Sequence, residues 1–160
     1  MTASETTDRQ QGFWTRWLQV VLMLLLVYAL VLVFAGSVAA SLFTTLGFGP
    51  SAEIASDAVL DYLRLPFAVL GAVMAGWALQ MLLIVRCRER LGTSLTISMI
   101  AIPLALWFVL DTGMSIVLGH PAHALFNAPF AAALGLPLWR LWAIGRATRG
   151  GAVSPRGSAG

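Results

Sequence analysis

Residues 95–118 read LTISMIAIPLALWFVLDTGMSIVL, an apolar run that contains a single carboxylate, Asp111. A run of about 20 apolar residues forms a helix long enough to cross the hydrocarbon core of a bilayer. These residues therefore predict a membrane-spanning helix. An ionisable side chain is costly inside a membrane and usually has a function there, so Asp111 is the first candidate for a functional residue.

The composition of the whole chain also predicts a membrane protein. Of its 160 residues, 59% are hydrophobic and only 11% are charged, whereas a soluble domain carries about 25% charged residues. All ten basic residues are arginines, and most of them flank apolar runs. Arginines in such positions set the orientation of membrane helices. We therefore expect the lipid bilayer, and not nucleic acid, as the partner of these residues.

The first two spans are predicted at residues 18–40 and 65–85. The alternative for the first run is a secretory signal peptide, but the apolar core of a signal peptide has only about 7–15 residues. In the second run, Ala72 and Gly76 are small residues four positions apart, a spacing that lets another helix approach closely. We therefore expect the second span to occupy a central place among the helices.

The third and fourth spans are predicted at residues 95–118 and 122–138. The fourth is the least regular, because Asn127 and Pro129 interrupt its apolar run. Together the runs predict an all-α fold, a polytopic membrane protein with a four-transmembrane-helix bundle. The predicted limits are 13–144 for the bundle, with disordered cytoplasmic tails at 1–12 and 145–160.

The arginines predict the orientation of the four spans. Nine of the ten lie before the first span, between the second and third spans, or after the fourth, whereas Arg64 lies on the opposite side. Arginine is enriched in cytoplasmic loops. We therefore expect a multi-pass protein of the bacterial inner (plasma) membrane with both termini in the cytoplasm.

Asp111 shares its predicted depth with polar residues of two other spans. It lies about seven residues, or roughly 10 Å at 1.5 Å per residue, from the outer end of its helix. Arg64 and Asn127 lie near the outer ends of the second and fourth spans. A carboxylate at the centre of a membrane helix costs about 2.5–3.5 kcal/mol, which favours polar partners. The candidate cluster comprises Asp111, Arg64, Asn127, Thr112, Ser115 and His123.

Two interpretations of this cluster remain open. One is a polar clasp that fixes the register of the helices, as a buried polar residue fixes the register of a coiled coil. The other is a small outward-facing pocket for a polar ligand or an ion. In that case Glu53, Asp57 and Asp61, which recur every four residues on one helical face, would concentrate cations at its mouth.

Two motifs suggest chemistry that the rest of the sequence does not support. The tripeptide Asp111-Thr112-Gly113 occurs in aspartic proteases, but their mechanism needs two carboxylates that share a proton, and the chain has one copy. His120 and His123 suggest haem or metal, but zinc takes at least three protein ligands. We therefore expect no metal, no cofactor and no enzymatic activity.

A further motif consists of the run 107–115 with Gly119 and Asn127, together with Gly71, Gly76 and Trp77 earlier in the chain. On these residues the chain resembles small four-span bacterial integral membrane proteins that are uncharacterised, over about residues 65–140. The resemblance implies four helices and an architectural role for Asp111 and Asn127, and it implies no substrate, cofactor or reaction.

The sequence thus favours an integral membrane protein without a catalytic site. We expect a structural or accessory component that packs into a larger membrane complex or forms a homo-oligomer. The alternative is a small transporter, or an ion- or ligand-binding membrane protein, that uses the Asp111 cluster. A membrane enzyme is disfavoured, because the sequence offers no nucleophile with a base, no metal-ligand set and no phosphate-binding loop.

Overall fold

The computed structural model describes residues 3–38 and 57–151. Five helices with defined bounds occur among these residues, residues 36–38 are also helical, and no strand is present in the described ranges. The predicted all-α class is therefore confirmed. The helices are α1 (Ala3–Phe34), α2 (Asp57–Arg86), the short α3 (Arg88–Leu91), α4 (Thr93–Val117) and α5 (Pro121–Gly151).

Three of the described helices are long and apolar enough to cross a membrane. The candidate spans are Glu5–Phe34 in α1, Asp61–Arg86 in α2 and Thr93–Val117 in α4. They correspond to the first three spans that the sequence predicts, although α1 ends at Phe34 and residues 39–40 of the predicted first span lie outside the described residues.

The fourth predicted span, 122–138, lies within α5. This helix has 31 residues, but it is not among the three helices that are apolar enough to cross a membrane. The physical reason is its polar content, since His123 and Asn127 lie in the same run as Pro129 and Pro137.

Both terminal helices are longer than the sequence predicts. Helix α1 begins at Ala3, so residues 3–12 are helical where we expected a disordered tail. A carboxylate in the first turn, Glu5, interacts favourably with the helix dipole. Gln11 accepts a hydrogen bond of 3.2 Å from Arg88, which holds this extension against the α2–α4 connection.

At the other end, α5 continues to Gly151, beyond the predicted boundary at residue 144. The remainder of the predicted carboxy-terminal tail, 152–160, lies outside the described residues. The same is true of Glu53 and of the side chain of Asp57, so two members of the predicted acidic face have no structural description.

The helices pack in a ring whose order is α1, α2, α4, α5. Helix α1 makes its largest contact with α2 and also packs on α5. Helix α5 packs extensively on α4, and a smaller contact between α4 and α2 closes the ring. Each long helix contributes to one buried apolar core, for example through Leu22, Met81, Ile100 and Leu138. This core lies in the half of the bundle next to α3, so Asp111 lies beyond it.

Helix α1 crosses α2 at Gly71. A Cβ atom at Gly71 would lie 2.6 Å from the carbonyl oxygen of Ala29 and 2.8 Å from the Cβ of Leu32. These distances are too short for any side chain, so glycine permits the crossing. The predicted pair Ala72 and Gly76 is exposed instead, and a Cβ at Gly76 would meet nothing within 4 Å. The close approach therefore uses the adjacent face of the helix.

Candidate functional site

A tight turn between α4 and α5 brings the predicted polar residues together. The N–H of His120 donates to the carbonyl of Ser115 (2.8 Å), and the N–H of Gly119 donates to the carbonyl of Ile116 (3.0 Å). This pair of bonds is the Schellman motif, which ends a helix through a left-handed residue. Gly119 supplies that residue, with φ of 81°. Pro121 then begins α5, at a position where the missing N–H of proline costs nothing.

This turn places Asp111 and Asn127 at the same depth. Each residue lies about two helical turns, or roughly 10 Å at 1.5 Å per residue, from the end of its helix. The side-chain amide of Asn127 donates from Nδ2 to Oδ2 of Asp111. The same nitrogen lies 3.5 Å from Oγ1 of Thr112. One amide group therefore joins α5 to two consecutive residues of α4.

His123 approaches the same carboxylate oxygen. Its Nε2 lies 3.4 Å from Oδ2 of Asp111. His123 lies one helical turn before Asn127, so both side chains lie on the face of α5 that is turned toward α4. An ionised carboxylate only accepts hydrogen bonds, and the amide of Asn127 supplies a donor from the opposite helix while the imidazole of His123 lies beside it.

The cluster is closed on one side and open on the other. Asn127 is buried, with 4% of its surface exposed. The side chains of Asp111 and His123 are exposed to 36% and 25%. The amide is thus enclosed within the protein, whereas the carboxylate and the imidazole are partly accessible from outside the bundle.

Ser115 contacts Asp111 through the backbone. Its hydroxyl donates to the carbonyl oxygen of Asp111 at 2.7 Å, and the residue is buried. This bond satisfies the hydroxyl within its own helix. The hydroxyl of Ser115 therefore donates to the backbone of its own helix. An activated serine nucleophile would instead donate to the imidazole of a histidine base.

Arg64 lies apart from these residues in the described contacts. Its Nη1 lies 3.1 Å from Oδ1 of Asp61, one turn earlier in α2, and both side chains are mostly exposed. The predicted cluster therefore assembles from Asp111, Thr112, Asn127 and His123, with Ser115 beside them on the backbone. Arg64 pairs with a nearer carboxylate on its own helix.

Among the described residues, no group of three or more His, Cys, Asp or Glu side chains lies close enough together to hold a metal ion. The cluster contributes one carboxylate and one imidazole. The amide of Asn127 already donates to the carboxylate. A cluster of this composition can hold two helices together, or it can bind one proton or one small cation.

A second link between helices involves Trp17, which sequence reasoning missed. Its Nε1 donates to the carbonyl of Ala133 at 3.3 Å. That carbonyl lies four residues before Pro137, which has no N–H to bond with it. The indole of α1 thus satisfies the acceptor that Pro137 leaves free in α5. A proline inside an apolar run was the sequence signal for such a partner.

Arginine and tryptophan side chains form a belt at the end of the bundle next to α3. Arg88 donates to the hydroxyl of Thr15 in α1. The guanidinium of Arg140 lies 5.6 Å from the ring centre of Trp14 and 5.0 Å from that of Trp139. These contacts join α1, α3 and α5 at one level, and they combine the residue types that are enriched at membrane interfaces.

Comparisons with protein-family models, with curated proteins and with solved structures found no match for this chain.

Proposed function

We propose that this chain is a non-catalytic integral membrane protein, a structural or accessory component of the bacterial inner membrane. In this proposal α1, α2, α4 and α5 all span the bilayer as a four-helix bundle. The contact between Asp111 and Asn127 acts as a polar clasp that fixes α5 against α4.

One observation carries this proposal: the buried amide of Asn127 donates to the carboxylate of Asp111 across the α4–α5 interface. Interhelical hydrogen bonds in membranes contribute from about 0.6 to 2 kcal/mol. A polar group left unpaired in hydrocarbon costs several kcal/mol. The pair therefore favours the arrangement in which the two helices lie side by side at this register, and disfavours register shifts that separate the two groups.

We include α5 among the spans because of its length and because the side chain of Asn127 is hydrogen-bonded to α4. With 31 residues it extends about 46 Å at 1.5 Å per residue, longer than a hydrocarbon core of about 30 Å. Its Asn127 is bonded to α4, which lowers the cost of placing an amide in the membrane. Trp139 and Arg140 follow at the end of the bundle where interfacial residues collect.

An accessory role is supported by the apolar surface that the chain leaves uncovered. In the most apolar parts of the three candidate spans, only 28%, 28% and 22% of the residues are buried. Lipid or a second protein must cover the remaining faces. Native mass spectrometry in mild detergent tests this role, because a companion polypeptide at fixed stoichiometry supports an accessory subunit. A chain that carries no companion under conditions that preserve known membrane complexes contradicts it.

The second candidate function is a small transporter or an ion-binding protein. It is favoured by the partial exposure of Asp111 and His123, which leaves a carboxylate and an imidazole accessible to a proton or a cation. Protein reconstituted in liposomes would then conduct protons or small cations, with Asp111 as the binding group.

Asp111→Asn separates these two functions. The variant keeps an acceptor oxygen for Asn127 but removes the negative charge. A transporter that binds cations through Asp111 loses its flux, whereas a clasp is mainly weakened in folding or assembly, because the charge-assisted hydrogen bond from Asn127 becomes a neutral one. The matched control is Asp61→Asn, which removes an exposed carboxylate from α2. Flux in the wild type that persists in well-folded Asp111→Asn protein would contradict transport through this carboxylate.

A further inference from the structure

An apolar groove runs between α4 and α5 on the outer surface of the bundle, in the half next to α3. Its volume is about 500 Å³, within the range of about 300–1,000 Å³ that is typical of small-molecule sites. Its lining is apolar and includes the buried Leu104 and Leu138 together with small residues, Ala101 and Ala105 in α4 and Ala131 and Gly135 in α5. Aromatic rings, Trp139 and Trp142, line one end.

The groove matches the depth of one leaflet. It follows α5 from Ala131 to Trp142, which is about 16 Å at 1.5 Å per residue. Half of a hydrocarbon core of about 30 Å is about 15 Å. If α5 spans the bilayer, as the proposed function on which this inference rests requires, the deep end lies near the middle of the membrane and the tryptophan end lies at the interface, where indole rings are enriched.

Two guanidinium groups stack on the tryptophans of this end, beside the lining residues, and Arg140 also lies 5.6 Å from the ring centre of Trp14 in α1. That of Arg140 is 5.0 Å from the ring centre of Trp139, and that of Arg146 is 4.8 Å from the ring centre of Trp142. Among the described side chains, no carboxylate forms an ion pair with either group. The groove thus combines an apolar channel of acyl-chain length with two positive charges at its interfacial end.

We propose that this groove binds one anionic phospholipid, with an acyl chain between α4 and α5 and the phosphate against Arg140 and Arg146. Guanidinium groups bind phosphate through two parallel hydrogen bonds, and stacking on indole rings holds them in place. The charge selects an anionic headgroup over a zwitterionic one.

The experiment measures lipid retention by the full chain. Protein in mild detergent is mixed with phosphatidylglycerol or phosphatidylcholine of identical acyl chains, and native mass spectrometry records the fraction that keeps one lipid. Taking about fivefold per arginine beside an anionic headgroup, the proposal predicts about 25-fold preference for phosphatidylglycerol. Arg140→Gln combined with Arg146→Gln removes this preference. The control is Arg86→Gln with Arg90→Gln, which removes equal charge outside the groove and keeps the preference.

A second variant tests the acyl-chain channel. A Cβ at Gly135 meets nothing within 4 Å, so Gly135→Leu fills the channel without disturbing the helices. We expect it to reduce the retention of both lipids at least fivefold, while Gly76→Leu, a leucine at an equally open site on α2, leaves retention unchanged. Equal retention of the two lipids by the wild type overturns the proposal. A groove that excludes lipid because a second copy of the chain occupies it also overturns it.

Discussion

Asp111 takes its partners from the helix that follows it in sequence. Asn127 and His123 are joined to it by a turn of a few residues, whereas Arg64 belongs to a helix that contacts α4 only lightly. A guanidinium near the end of α2 also has a closer partner, Asp61, one turn away on its own helix. Chain connectivity therefore determines which of the predicted residues meet.

The bond between Trp17 and Ala133 gives a prediction at the scale of single residues. Trp17→Phe keeps an aromatic ring but removes the indole N–H, so the carbonyl freed by Pro137 loses its donor. We expect a loss of about 1 kcal/mol in unfolding free energy. The measurement is reversible unfolding in bicelles or mixed micelles.

Pro137→Ala provides the control for this prediction. An alanine restores an N–H at residue 137, which bonds to the carbonyl of Ala133 within α5. In this background Trp17→Phe should cost less than about 0.3 kcal/mol. An equal cost of Trp17→Phe in both backgrounds would show that the ring, and not its N–H, stabilises the contact.

At the scale of helices, the crossing of α1 and α2 depends on Gly71. Gly71→Ala introduces a methyl group 2.6 Å from a backbone oxygen of α1, and the helices must separate to accept it. Overpacking of this kind costs about 1–3 kcal/mol. We expect this loss in unfolding free energy, together with weaker protection of the α1 amides in hydrogen exchange.

Gly76→Ala is the matched control for the helix crossing. Both glycines lie in α2, but a methyl group at Gly76 meets nothing within 4 Å. The change should be neutral or stabilise the helix by up to about 1 kcal/mol, the usual difference between alanine and glycine in a helix. A similar loss of unfolding free energy in Gly71→Ala and Gly76→Ala would show that the close contact between α1 and α2 does not lie at Gly71.

At the scale of the whole molecule, the orientation in the membrane can be measured with the native Cys87. It is the chain's single cysteine, and it is exposed in the connection between α2 and α3. The positive-inside rule places this connection in the cytoplasm. A membrane-impermeant maleimide should therefore label Cys87 only after the cells are opened.

A second labelling site tests the opposite face. In a Cys87→Ser background, His120→Cys puts the thiol in the α4–α5 turn, which the proposed topology exposes outside the inner membrane. This residue should react in intact spheroplasts. Labelling of Cys87 without permeabilisation, or protection of residue 120, would contradict four spans with both termini in the cytoplasm.

Hydrophobic patterning predicted the all-helical fold, and polar residues in apolar runs predicted most of the cluster. The pairing of helices was harder to predict, because Gly71, Ala72 and Gly76 offer small residues on two faces of α2, and spacing alone does not select one. The contact of Trp17 with Ala133 depends on how α1 packs against α5, a tertiary feature with no local pattern. Arg88, which is distant in sequence, donates hydrogen bonds to Gln11 and Thr15 in the amino-terminal part of α1.

A double-mutant cycle measures whether Asp111 and Asn127 fasten α5 to α4. Asp111→Leu, Asn127→Leu and the double variant are compared with the wild type by unfolding free energy in bicelles. We expect that Asn127→Leu alone costs about 1–2 kcal/mol in unfolding free energy and that the two residues couple by at least about 0.6 kcal/mol. Additive effects of the two substitutions, with a coupling near zero, would contradict the clasp.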